Sequence, residues 1–237
     1  MNGSDRDYPG KKASVVFMGG CPLRCGFCYS APIIIAAENC IEQEPEYFIE
    51  YFKRLRSEID AVVFEGGEPL QQIEPLMELC KALKEMGFLV KIGTSGFYAD
   101  ALLKILPYVD CIAMDFKTEI DAVKYAELTR FKGEPAMLMQ DIYRSIIILK
   151  EAKKQRGSGL FVEFRTTIIR GINDTDKIVS AIAKEAAFAD QYVLQQFDSE
   201  PALVDETYKL LGDTPKTDLV ELAVTARNFV PLVKIRT

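Results

Sequence analysis

Cys21, Cys25 and Cys28 lie in the segment Gly19-Gly20-Cys21-Pro22-Leu23-Arg24-Cys25-Gly26-Phe27-Cys28-Tyr29, at offsets of 0, 4 and 7. Those offsets also suit one face of a helix, where three cysteines would be small core residues. Gly19, Gly20, Pro22 and Gly26 speak against a helix, because theirs is loop composition. Three thiolates crowded on one loop need a cation or a cluster to neutralise them. A structural zinc site takes four ligands, in paired knuckles or with histidine, yet no fourth ligand is near and the chain has no histidine. A cubane iron–sulfur cluster normally takes four cysteines. Three ligands on one loop therefore leave one iron of a 4Fe–4S cluster free to bind something else.

The lack of histidine also removes Ser-His-Asp and Cys-His catalysis and any histidine base. Other chemistry-bearing residues fall where predicted strands end. Glu65-Gly66-Gly67-Glu68-Pro69 could be a plain strand-to-helix turn, or a place where glycines let backbone approach a ligand closely. Thr94-Ser95-Gly96 and Asp115-Phe116-Lys117 follow later strands. Asp115 and Lys117, two residues apart, point the same way, into a site or toward each other. Arg165, within Glu163-Phe164-Arg165-Thr166-Thr167, is a strand arginine that needs a carboxylate; Glu163 or a bound cofactor could supply it. Cys80 and Cys111 read as core residues. Cys40, in a loop, has no assigned place.

The elements that must position these residues alternate. Strands are predicted over 14–18, 61–65, 89–92, 111–115, 161–168 and 192–197, with an extra strand over 232–235. Helices are predicted over 45–59, 70–86, 99–106, 122–128, 140–154, 173–188 and 218–228, with Pro45 in a first turn and Asn173 as an N-cap. Asp174 and Asp176 read as helix-start residues. Residues 131–140 read as a long loop. Alternation of this kind implies right-handed βαβ units and a parallel sheet. Six repeats fall short of a closed eight-fold barrel, so the expected fold is a partial, open (β/α)6 TIM-like barrel, a single domain over residues 1–237, with ligands at the C-terminal ends of its strands.

The Cys-x3-Cys-x2-Cys spacing after the first strand, with aromatic Phe27 before the last cysteine, resembles the radical S-adenosylmethionine superfamily. The resemblance implies a 4Fe–4S cluster on Cys21, Cys25 and Cys28 whose free iron chelates the methionine part of S-adenosylmethionine. It also implies reductive cleavage of that cofactor to a 5′-deoxyadenosyl radical. It assigns Gly66, Gly67, Glu68 and Pro69 to the methionine amino group, and Thr94, Ser95, Asp115, Lys117 and Arg165 to cofactor binding. Asp7-Tyr8-Pro9-Gly10-Lys11, Ala113-Met114-Asp115-Phe116-Lys117, Phe164-Arg165-Thr166-Thr167 with Arg170-Gly171, and Val193-Leu194-Gln195-Gln196-Phe197 resemble the activating proteins of anaerobic ribonucleoside-triphosphate reductase, which are similar to pyruvate formate-lyase activating enzyme. That implies a glycyl-radical partner enzyme and a flavodoxin or ferredoxin electron donor. Three departures stand: Tyr29-Ser30 in place of His-Asn, Gln195-Gln196-Phe197 in place of a segment with a cofactor-contacting histidine, and Gly93 in place of an acidic residue. Two other readings remain: a radical enzyme acting on a small molecule or another peptide, and a non-catalytic iron–sulfur sensor, against which the intact Gly66–Pro69 segment argues.

Composition bounds the rest. The chain has 237 residues, 49% hydrophobic and 27% charged, with net charge −6. No Lys/Arg cluster is dense enough for a nucleic-acid surface; the run 150–156 reads as a solvated helix end. No apolar run reaches membrane-helix length, and the opening Met-Asn-Gly-Ser-Asp-Arg-Asp is not of signal-peptide type, so no membrane and a cytoplasmic location are expected.

Overall fold

A computed structural model describes residues 4–36 and 40–237, with side chains from Asp7 onward; the first residues of the polar N-terminal stretch, 1–3, lie outside it. Among the described residues eight strands form one sheet in chain order. They are β1 (Ser4–Tyr8), β2 (Lys11–Met18), β3 (Ala61–Gly66), β4 (Leu89–Thr94), β5 (Cys111–Asp115), β6 (Phe161–Ile168), β7 (Gln191–Gln196) and β8 (Val233–Arg236). β1 pairs antiparallel with β2 across the turn Pro9-Gly10; every later pair is parallel. The helices are α1 (Ala31–Ile35), α2 (Pro45–Arg54), α3 (Ile73–Glu85), α4 (Ala99–Ile105), α5 (Ala122–Thr129), α6 (Pro135–Arg156), α7 (Asp176–Glu185) and α8 (Lys216–Ala226). The sheet curls into an open partial barrel. No helix among the described residues is long and apolar enough to cross a membrane.

The two-residue period of a strand divides this sheet into unlike faces. Val62, Phe64, Val90, Ile92, Ile112, Phe164 and Leu194 point outward and pack with helix residues such as Leu76, Leu83, Leu102, Ile142 and Ile182. Each such side chain removed from water is worth about 2 kcal/mol, which is what holds the helices on the convex side. The alternate residues point inward. Low in the barrel Ala13, Ala61, Val63 and Cys111 form a small apolar cluster with Tyr8. Beside it Lys91 and Glu163, both buried, pair at 3.4 Å, and Gln191 donates to Glu163 at 2.7 Å. The upper part of the concave face is polar, and the cavity lies there.

Four expectations are corrected. Residues 131–140 are not a long loop: Pro135 takes the first position of α6, where its missing N–H costs nothing. Asn173 is not a helix cap; Thr175 caps α7 by accepting from Ile178 N, and Asn173 is buried. The helix expected over 45–59 ends at Arg54. Residues 69–72 form a separate 3-10 turn before α3. The remaining predicted strands and helices stand within a few residues of their expected ends, and β1 and α1 are additions.

Candidate active site

A cavity of about 350 Å³ opens at the C-terminal ends of the strands. Cys21, Cys25, Cys28, Gly66, Gly67, Glu68, Thr94, Ser95, Asp115, Lys117 and Arg165 all line it. Of the sequence-selected residues only Pro69 does not; it is buried and starts the 3-10 turn.

The cysteine loop leaves β2 and is laced to the end of β3. Gly67 N donates to Met18 O and Glu68 N to Gly20 O, each at 2.8 Å. A Cβ at Gly67 would lie 1.8 Å from Gly20 O, so only glycine allows this approach. On its outer side the loop is strapped by the chain after β7. Asp205 N donates to Gly26 O at 2.9 Å, Val204 N to Cys28 O at 3.2 Å, and Asp198 N to the Tyr29 hydroxyl at 2.7 Å. Arg24 N donates to Thr129 O at 2.8 Å, fixing the loop to the end of α5.

The donor set fits an iron–sulfur cluster. Burial pushes the Cys21 thiol up to about 11 and the Cys25 thiol up to about 12, so each would give up its proton to solvent only as a metal centre binds its sulfur. Ser30 N–H already points at Cys28 Sγ, at 3.4 Å, as amides do toward ligating sulfur. Among the described residues no three Cys, Asp or Glu side chains converge on a single-ion site. A cubane makes no such demand, because it offers a separate iron to each thiolate.

Glu68 is fully buried, and its carboxylate is committed. It accepts from Thr94 Oγ1 at 2.9 Å, Ser95 N at 2.7 Å, Ser95 Oγ at 2.5 Å and Leu70 N at 3.2 Å. Burial raises its pKa, and the Ser95, Thr94 and Leu70 donors work against that rise. The carboxylate thus binds the end of β3 to the end of β4 and orients the Thr94-Ser95 backbone over the cavity. Asp115 and Lys117 do pair with each other, at 2.8 Å. Arg165 does not meet Glu163, as one sequence reading had it. Its Nε donates to Asp115 Oδ1 at 2.7 Å, and its Nη1 and Nη2 to the two Glu65 oxygens at 2.7 and 3.3 Å. Burial opposes charge on Asp115, but Arg165 and Lys117 outweigh it and hold the carboxyl at about 2. Burial likewise opposes charge on Lys117, and Asp115 overrides it, so the ammonium stays protonated.

Residues that the sequence did not assign to the site hold its lining in place from behind. The Tyr125 hydroxyl accepts from Lys117 N at 3.1 Å and donates to Asp115 O at 3.3 Å. Asn173 Oδ1 accepts from Ile169 N at 2.7 Å, while its Nδ2 donates to Lys117 O at 2.8 Å and Thr167 O at 2.9 Å. Glu65, adjacent to the glycine pair, was the signal available in sequence; Tyr125 and Asn173 offered none. Cys80 and Cys111 are buried in the core as expected, and Cys40 is exposed beside Gly19.

A strand-end cavity holding three loop cysteines defines a class, and comparison with known proteins gives it a name. Residues 15–182 match the Radical SAM superfamily, and the chain belongs to it. It is 31% identical over 235 residues to a Methanocaldococcus jannaschii protein provisionally named a glycyl-radical enzyme activating enzyme, covering 98% of this chain and 91% of that one. It is 33% identical over 115 residues to pyruvate formate-lyase-activating enzyme of Clostridium pasteurianum, covering 47% and 48% of the two chains. A 7-carboxy-7-deazaguanine synthase of Thermococcus kodakarensis is 29% identical over 177 residues, 67% of each chain. Among solved structures, Streptococcus suis SuiB bound to S-adenosylmethionine shares the fold with a TM-score of 0.70 at 15% identity, over 95% of this chain and 50% of that one. The protein is therefore a radical enzyme akin to the glycyl-radical activating enzymes, and its cofactors are a 4Fe–4S cluster and S-adenosylmethionine.

Proposed function

We propose that this chain makes a glycyl radical on a partner enzyme of the anaerobic ribonucleoside-triphosphate reductase type, all 237 residues serving as one radical S-adenosylmethionine domain. Cys21, Cys25 and Cys28 hold the cluster. When bound, the cluster supplies the electron that splits the sulfonium carbon–sulfur bond of S-adenosylmethionine, so that a hydrogen can be taken from the partner's glycine. The residues around it bind and orient. The backbone at Gly66 and Gly67 offers a close, side-chain-free approach for the methionine amino group, and Glu68 stiffens that edge through Thr94 and Ser95. Lys117 and Arg165, kept protonated beside Asp115, balance the charge of the cofactor's carboxylate and hold the cavity in one shape. A flavodoxin or ferredoxin supplies the electron.

The observation that carries this reading is the full-length likeness to the M. jannaschii protein, combined with a cavity lined by the cysteine loop and the matching strand-end residues. The test is anaerobic. Reconstituted protein, dithionite, S-adenosylmethionine and a candidate glycyl-radical enzyme are combined, and the doublet of a glycyl radical is sought by electron paramagnetic resonance (EPR) together with 5′-deoxyadenosine. Both signals together support the proposal. 5′-Deoxyadenosine that forms only with a small substrate favours the second reading, a small-molecule radical enzyme, to which the deazaguanine synthase likeness points.

A further inference from the structure

Glu65 and Arg165 stand on strands β3 and β6, yet they meet. The strands between them carry almost no bulk on the concave face at that level. β4 presents Gly93 and β5 presents Ala113, its partner in register. Continuing the β3–β4 register from Phe64↔Ile92 sets Glu65 beside Gly93. A Cβ at Gly93 would lie 2.3 Å from Glu65 Oε2 and 2.5 Å from its carboxyl carbon. The carboxylate of β3 thus fills the space that a side chain of β4 would occupy. From there it takes two N–H groups of Arg165, while Asp115 takes a third. A planar guanidinium held on two sides by carboxylates has no rotation left.

We propose that Glu65 is a positioning residue of the cofactor site, fixing the Arg165 guanidinium across the cavity floor, and that Gly93 is the residue that makes room for it. This rests on the reading that the cavity takes S-adenosylmethionine. Without Glu65, Arg165 keeps one carboxylate, frees two N–H groups and loses one of the two negative charges that balance it. A side chain at Gly93 reaches the same end from the opposite direction, by pushing the carboxylate away while leaving its chemistry intact.

The test uses the anaerobically reconstituted holoenzyme and reads S-adenosylmethionine binding by titration calorimetry and by the change that the cofactor causes in the EPR spectrum of the reduced cluster. Iron content and the spectrum without cofactor report folding. Glu65→Gln and Gly93→Ala are each expected to weaken binding about ten- to a hundredfold, the scale of one or two charge-assisted hydrogen bonds. Both should keep wild-type iron and the unliganded spectrum. The exchange variant, Glu65→Gly with Gly93→Glu, grows the carboxylate from the neighbouring strand into the same space and should recover most of the affinity. If Arg165→Ala weakens binding and Glu65→Gln does not, the positioning role falls and the cofactor pocket stands. If neither changes binding, this wall does not face the cofactor, and the inference falls with it. If Glu65→Gln loses iron, Gly93→Ala decides: wild-type affinity there overturns the proposal.

Discussion

The ring of Tyr208 lies against Gly26, directly after the second cysteine of the loop. A Cβ at Gly26 would sit 2.3 Å from Tyr208 Cε2, and Phe27 faces the same ring with centroids 6.0 Å apart. Together with the Asp205–Gly26 and Val204–Cys28 backbone bonds, Tyr208 covers the outside of the cysteine loop. Gly26→Ala should displace the ring at a cost of about 1–3 kcal/mol. Tyr208→Ala should uncover the loop without touching its ligands. Both variants are expected to bind a full cluster under anaerobic conditions and to bleach faster than wild type when air is admitted. Equal bleaching rates would mean that the strap does not shield the loop.

Glu68 joins two strand ends through four donors, so its loss differs from loss of a surface carboxylate. Glu68→Ala would leave the Thr94 and Ser95 groups buried without their acceptor, and it should lower stability by about 3 kcal/mol. Glu68→Gln retains one acceptor oxygen and should cost less. Urea unfolding of the two variants checks the order; equal and small losses would show that Thr94 and Ser95 find other partners.

Asp115 sets a direction with pH. Its carboxyl is held at about 2 in the folded chain, against about 3.9 in an unfolded one. A carboxyl that is lower when folded stabilises above its unfolded pKa and loses that contribution as pH falls through its folded value. The stability gap between wild type and Asp115→Asn, measured in urea on cluster-free protein, should therefore be widest near neutral pH, roughly 2 kcal/mol, and close between about pH 4 and pH 2. A gap that stays constant over that range would show that Asp115 acts by shape and not by charge.

The six cysteines should divide cleanly. Replacing Cys21, Cys25 or Cys28 by Ala is expected to abolish 5′-deoxyadenosine formation and to reduce iron content. Cys80→Ala, in the core between α3 and the sheet, should retain iron and lose about 1 kcal/mol of stability. Iron analysis and product assay on the four variants decide the matter. Full cleavage by Cys25→Ala would sink the ligand assignment.

Much of this arrangement is legible in the sequence because it is local. The cysteine loop, the Gly66-Gly67 pair and the strand-end residues announce themselves by composition and by place in the alternation. What could not be read depends on distance along the chain or on tertiary context. Glu65 and Arg165 are 100 residues apart. Asn173 resembles a helix cap, and only the fold shows it reaching back to Lys117. β1 is built from Ser-Asp-Arg-Asp-Tyr, with no β-branched residue, and is a strand because the Pro9-Gly10 turn folds it onto β2. Pro135 reads equally well as a loop residue or as the first residue of a helix, and the long apolar face that follows decided for the helix.

Among the described residues the unclosed barrel ends in two edge strands, β1 and β8, and such edges invite pairing with other molecules. One of them, β8, is four residues long, follows Pro231 and carries Lys234 and Arg236. Short length, a preceding proline and the exposed Lys234 make it a poor template for a strand of a neighbouring chain, while Arg236 turns inward to Glu163 at 3.7 Å. The border of the open barrel at β8 is therefore a weak template for an added strand.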